Sequence, residues 1–106
     1  MAFPLEVNAS DAARLFQDGA VLIDVREPNE LAVSHVAGST QMPIREIPTR
    51  MSEIPTDRQV LILCHHGGRS ARVTQFLRSA GWENVTNVAG GIDAWALQVD
   101  PRLARY

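Results

Sequence analysis

The chain has 106 residues, 45% of them apolar and 21% charged, which suits one hydrophobic core and predicts a single domain over residues 1–106. A formal net charge of -2 gives no electrostatic case for nucleic acid or an anionic membrane as the main partner. One cysteine excludes an internal disulfide framework, and the opening MAFPLEVNASDAARLF lacks the charged and long apolar regions of a leader, so the expectation is a soluble, cytoplasmic protein in a reducing compartment.

Residues 3–7 read as a short first strand, with Pro4 tolerable only near an edge or a start. Asn8 and Asp11 have the spacing of a helix cap, and Ala12, Leu15 and Phe16 then give a short apolar face that stops at Asp18 and Gly19. The run VLIDV at 21–25 is a second strand of buried type. It delivers Asp24 and Arg26 at its carboxyl end, where a parallel strand places functional or loop-fixing residues. Glu27 and Pro28 open a short helix that Leu31 and Val36 would bury in part. GSTQMPI at 38–44 reads as a third strand, and residues 47–54 as a short helix interrupted by Pro48.

The centre of the chain is VLILCHHGGRSARVTQFLRSA, residues 60–80. Val60, Leu61, Ile62 and Leu63 form an unbroken branched run that fits a strand buried on both faces of a parallel sheet. Val73, Phe76, Leu77 and Ala80 recur at helical spacing, with Gly81 where a helix end wants a left-handed residue. Cys64 is thereby expected at the carboxyl end of a strand and in front of a helix N-terminus. Unpaired N–H groups and the helix dipole favour an anion at such a place. Gly67 and Gly68 allow the loop to curl its N–H groups inward, and Arg69 adds a permanently charged fork at the rim. These residue types in this order predict a nucleophilic thiolate that attacks something anionic. A cysteine at a buried strand end is often a small core hydrophobe, but the polar, flexible run from His65 to Arg69 is not core packing. His65 and His66 contribute their backbone more than their imidazoles: His35 is the only other histidine and no second cysteine exists, so no metal site is expected.

Residues 85–88 complete the strands, Ala89, Gly90 and Gly91 make a turn, and residues 92–97 form a closing helix with Trp95 inward; Trp82 and Trp95 are assigned to packing. In the segment 100–106, Pro101, Leu103 and Tyr106 suggest a fold back over the domain that affects packing or partner choice more than the intrinsic reaction. Alternating strands and helices with short connections imply an α/β domain with a mainly parallel sheet.

Three stretches in order carry a family resemblance over nearly the whole chain: LIDVREPNELAVSHVAGSTQMPI at 22–44, CHHGGRSA at 64–71 and VAGGIDAW at 88–95. The chain resembles the single-domain rhodanese-like sulfurtransferases, departing from their pattern at Ser34, where glycine is usual, and at Ala37, where proline is common. The resemblance implies a five-stranded parallel sheet flanked by helices on both faces, and sulfur transfer through a persulfide of Cys64 without a cofactor. Thiosulfate or a related donor would load the cysteine, and cyanide, a small thiol or a protein thiol would unload it. His65, His66, Gly67, Gly68 and Arg69 would cradle the anion, with Arg69 binding the donor. Asp24, Arg26 and Ser70 would support the site, Asp24 and Arg26 serving equally well as an ordinary strand-end ion pair.

Two rival functions stand beside this one. Cysteine-dependent phosphatases place five residues between cysteine and arginine, whereas four separate Cys64 from Arg69, a tighter ring that suits sulfur better than phosphate. A binding module without chemistry would have no need of the cysteine. A third reading is sulfur relay to a protein partner: the ending AWALQVDPRLARY looks similar to the tail of rhodanese domains joined to enzymes that activate ubiquitin-like sulfur carriers, which bears on the acceptor more than on the reaction.

Overall fold

The computed structural model describes residues 2–106. Its strands are β1 (Glu6–Val7), β2 (Val21–Asp24), β3 (Thr40–Gln41), β4 (Val60–Leu63) and β5 (Val85–Val88). Its α-helices are α1 (Ala9–Gln17), α2 (Pro28–Leu31), α3 (Gly68–Ser79) and α4 (Gly91–Gln98). The five strands form one parallel sheet in the order β1-β5-β4-β2-β3, with Asp24 of β2 in register with Leu63 of β4. The α/β class, the parallel sheet and the central place of the VLIL run are as the sequence predicts.

The continuous apolar run works because both faces of β4 are covered. Side chains alternate along a strand, so Val60, Ile62 and Cys64 join one core with Val73 and Leu77 of α3 and with Ile47 and Ile54. Leu61 and Leu63 join the other, with Ala9 and Ala12 of α1 and Ile92 and Trp95 of α4. Each of the four β4 residues is fully buried. Trp95 also meets Phe16 edge to face, with centroids 6.5 Å apart. Trp82 packs on the first core and donates its indole N–H to the carbonyl of Ile54 at 3.1 Å. Asn8 caps α1 as its spacing predicts, its Oδ1 accepting from the N–H of Asp11 at 2.8 Å.

Several boundaries differ from expectation, each for a local reason. The first strand shrinks to two residues, because the carbonyl of Pro4 is taken by the hydroxyl of Thr86 and by Arg78 instead of by a ladder. The third also keeps only two, since Met42 turns into the core and Pro43 has no N–H to offer. The predicted helix at 47–54 is two 3-10 turns, Ile44–Thr49 and Met51–Glu53. The i, i+3 pair Ile44 and Ile47 suits that tighter winding, and Pro48 is compatible with it. The buried stripe of α3 is Ser70, Val73, Thr74 and Leu77, while Phe76 is 46% exposed and Ala80 is also outside the core. Two polar residues hid that stripe in the sequence: the Thr74 hydroxyl is satisfied by the Ser70 carbonyl at 2.8 Å, and Ser70 faces the cysteine.

Candidate active site

After β2 the chain moves to one side, to the edge strand β3, and after β4 it moves to the other side, to β5. The carboxyl ends of these two neighbouring strands therefore open the crevice in which open α/β sheets bind their ligands. Cys64 follows β4 and Arg26 follows β2, so the strand order brings the two sequence-predicted clusters side by side.

The cysteine side chain is almost fully buried, 1% exposed. Three donors converge on its sulfur: the N–H of Gly67 at 3.1 Å, the N–H of Ser70 at 3.3 Å and the hydroxyl of Ser70 at 3.2 Å. Gly67 precedes α3 with φ of +101°, a left-handed backbone that turns its N–H back toward the sulfur. Of the expected cradle, Gly67 makes one of these bonds; the other two come from Ser70, expected only as a supporting residue. Gly68 and Arg69 open α3, where N–H groups have no intrahelical acceptor. Converging donors of this kind are matched by a thiolate, an acceptor without a proton of its own.

The rest of the loop is braced by α4. The N–H groups of Ile92 and Asp93, in its first turn, bond the carbonyls of Cys64 at 2.8 Å and His65 at 3.2 Å. Gly91 makes that approach possible. With φ of +59°, a Cβ there would lie 2.4 Å from both the Cys64 and His65 carbonyl oxygens. Gly91→Ala is therefore expected to cost about 2–3 kcal/mol, because backbone on both sides must shift. A thermal melt checks this. The sequence shows Gly91 as the last residue of a turn, but nothing local reveals that it carries the cysteine loop.

Asp24 and Arg26 are both fully buried. Arg26 Nη2 lies 2.7 Å from Asp24 Oδ2, and Nε lies 2.9 Å from Oδ1. The remaining guanidinium protons go to the carbonyl of Ser34 at 2.8 Å, the carbonyl of Glu30 at 3.3 Å and the hydroxyl of Tyr106 at 2.9 Å. Burial opposes the charge, but the hydrogen bonds to Asp24 and Tyr106 outweigh it and hold Arg26 above its usual value. The pair thus ties the strand end to the loop containing Ser34, a supporting arrangement.

Arg69 is where sequence reasoning falls short. Its Nη1 and Nη2 donate to the two carboxylate oxygens of Glu30 at 2.6 and 2.8 Å, across 39 positions of chain. Arg69 is held above its usual value chiefly by that bond. Glu30 is lowered to about 2, first by the Arg69 bond, with burial opposing and Tyr106 assisting. A depressed carboxyl stabilises the fold above its unfolded value of 4.5 and loses that contribution as pH falls toward about 2, so the pair stays closed throughout the neutral range.

The segment 100–106 is nearer the site than its sequence position suggests. Tyr106 stacks on His65 with centroids 3.7 Å apart and planes 9° from parallel, and His65 stacks on His66 at 3.8 Å. His65 Nε2 reaches the main-chain oxygen of Tyr106 at 2.7 Å, and the Tyr106 hydroxyl donates to Glu30 Oε2 at 2.7 Å. Leu103 packs against the α1–α4 core as expected of a segment folding back, and Arg105 pairs with Asp93 at 2.8 Å. The segment folds back over the domain as its residues suggest, and it lies against the cysteine loop. Tyr106→Phe, which keeps the stacking and removes the bridge from Arg26 to Glu30, is expected to cost about 0.5–1.5 kcal/mol, readable by chemical denaturation.

A family model described as Rhodanese-like domain matches residues 8–98. A sulfurtransferase of Allochromatium vinosum is 41% identical over 95 residues, covering 85% of this chain and 89% of that protein. The chloroplastic rhodanese-like/PpiC domain-containing protein 12 of Arabidopsis thaliana is 40% identical over 105 residues, 95% of this chain, which spans only 35% of that relative's length. Among solved structures, a rhodanese-related protein from Thermoplasma volcanium superposes with a TM-score of 0.82 at 31% identity, covering 92% of this chain and 94% of its own.

Proposed function

The chain belongs to the rhodanese-like sulfurtransferase family, and from that premise we propose that it moves a sulfane sulfur from thiosulfate or a related donor to a thiophilic acceptor through a persulfide on Cys64. The observation that carries this reading is the buried Cys64 sulfur with three converging hydrogen-bond donors. In the first half-reaction the thiolate attacks the outer sulfur of the donor. The Sγ–S bond forms as the donor's S–S bond breaks, and the electron pair leaves with sulfite when the donor is thiosulfate. The N–H groups of Gly68 and Arg69, which open α3 without intrahelical acceptors, would hold the transferred sulfur by its negative charge. In the second half-reaction cyanide, a small thiol or a protein thiol attacks that terminal sulfur and returns the thiolate. A reducing compartment such as the cytoplasm suits this cycle, since the free thiol is its resting state.

Transfer to cyanide, read as thiocyanate while both substrates are varied, tests the scheme. A covalent intermediate predicts ping-pong kinetics with parallel double-reciprocal lines. Intersecting lines would mean that donor and acceptor meet in one complex, and that the persulfide route is wrong.

A further inference from the structure

The guanidinium that an anionic donor would need is already engaged. Arg69 gives both terminal nitrogens to Glu30, and Glu30 is fixed from other directions as well. Its Oε1 accepts from the N–H of Glu27 at 3.1 Å and its Oε2 from the hydroxyl of Tyr106 at 2.7 Å, while Arg26 anchors that hydroxyl at 2.9 Å. The Glu30 side chain is 15% exposed, so it is not a surface carboxylate that swings aside at no cost. The unit charges of Arg69 and Glu30 cancel. A dianion would gain the Arg69 fork only by breaking a bidentate pair and then lying beside an unpaired carboxylate.

We propose that Glu30 is a specificity-determining residue of the sulfur-transfer site, selecting organic persulfides, R–S–SH, over dianionic donors such as thiosulfate. The inference rests on the Cys64 persulfide reading and names its preferred donor class. With such a donor the Cys64 thiolate attacks the terminal sulfur, and the new Sγ–S bond forms as the donor's own S–S bond breaks. R–S⁻ leaves with the electron pair, the proton stays on the transferred sulfur, and charge is conserved without any oxidant or reductant.

The test measures the rate of loading Cys64 from thiosulfate and from 2-hydroxyethyl persulfide, as the fraction of protein carrying one extra sulfur in quenched intact-mass samples. Wild type is expected to load from the persulfide at least about ten-fold faster, and Glu30→Gln to raise the thiosulfate-to-persulfide ratio by at least about ten-fold. A ratio that stays level or falls in the variant overturns the assignment and leaves Glu30 as a support for Arg69. Wild type in increasing sodium chloride gives a second reading that needs no variant to fold. Screening of a repelling carboxylate raises the ratio, whereas a falling ratio means Arg69 attracts the dianion on balance and the proposal is wrong. Loading from neither donor would overturn both this inference and the persulfide scheme; loading from both with an unmoved ratio overturns this inference alone.

Discussion

Cys64→Ser is expected to abolish sulfur transfer while leaving stability within about 1 kcal/mol of wild type. Serine is slightly smaller, and its hydroxyl oxygen accepts the same bonds from Gly67 and Ser70, so the buried site stays filled and its donors stay paired. The chemistry does not survive. A hydroxyl does not ionise usefully at neutral pH, and oxygen is a poor nucleophile toward sulfane sulfur. Thiocyanate formation and a thermal melt on the same preparation separate the two effects. Retained turnover in a folded variant would remove Cys64 from the mechanism, while loss of turnover together with unfolding would make the cysteine a core residue.

Asp24→Ala should produce the largest loss of stability, about 3–5 kcal/mol, because it leaves the Arg26 guanidinium charged and without its counterion inside the fold. Both side chains are fully buried, and the bidentate contact at 2.7 and 2.9 Å has no water-exposed substitute. For a domain near this length that corresponds to a fall in Tm of about 15–25 °C. Transfer activity should fall too, since Arg26 also holds the Ser34 and Glu30 carbonyls and the Tyr106 hydroxyl around the crevice. Asp24→Ala combined with Arg26→Leu should recover part of the loss, because no buried charge is then left alone. Denaturant unfolding of the single and double variants measures the coupling. A loss below about 1 kcal/mol in the single variant would mean that Arg26 reaches solvent when its partner goes.

The part of the molecule that carries the chemistry was legible because its signals are local. Four branched apolar residues fit a doubly covered strand, and Cys64, His65, His66, Gly67 and Gly68 follow without a gap, so the strand–loop–helix order around the sulfur was readable in one stretch. The Asp24–Arg26 pair was readable for the same reason, two positions apart at a strand end. What was not legible depends on contacts between distant positions. Glu30 meets Arg69 across 39 residues and Tyr106 across 76, and no spacing rule links them. The short edge strands were overestimated because β-prone residues flank prolines: the carbonyl of Pro4 is taken by Thr86 and Arg78, and Pro43 has no N–H for the ladder. The face of α3 was misread because Ser70 and Thr74 are buried as polar residues with their bonds satisfied, a condition that hydrophobic periodicity does not register.

The central claim is that one sulfur atom is held covalently on Cys64 between two half-reactions, and intact mass reads it directly. After incubation with saturating thiosulfate or a small persulfide and removal of the excess, the protein should be heavier by one sulfur atom. That mass should vanish on adding cyanide, with one equivalent of thiocyanate formed, and Cys64→Ser should never acquire it. A wild-type protein that turns over both substrates while its mass stays unmodified throughout would contradict the account.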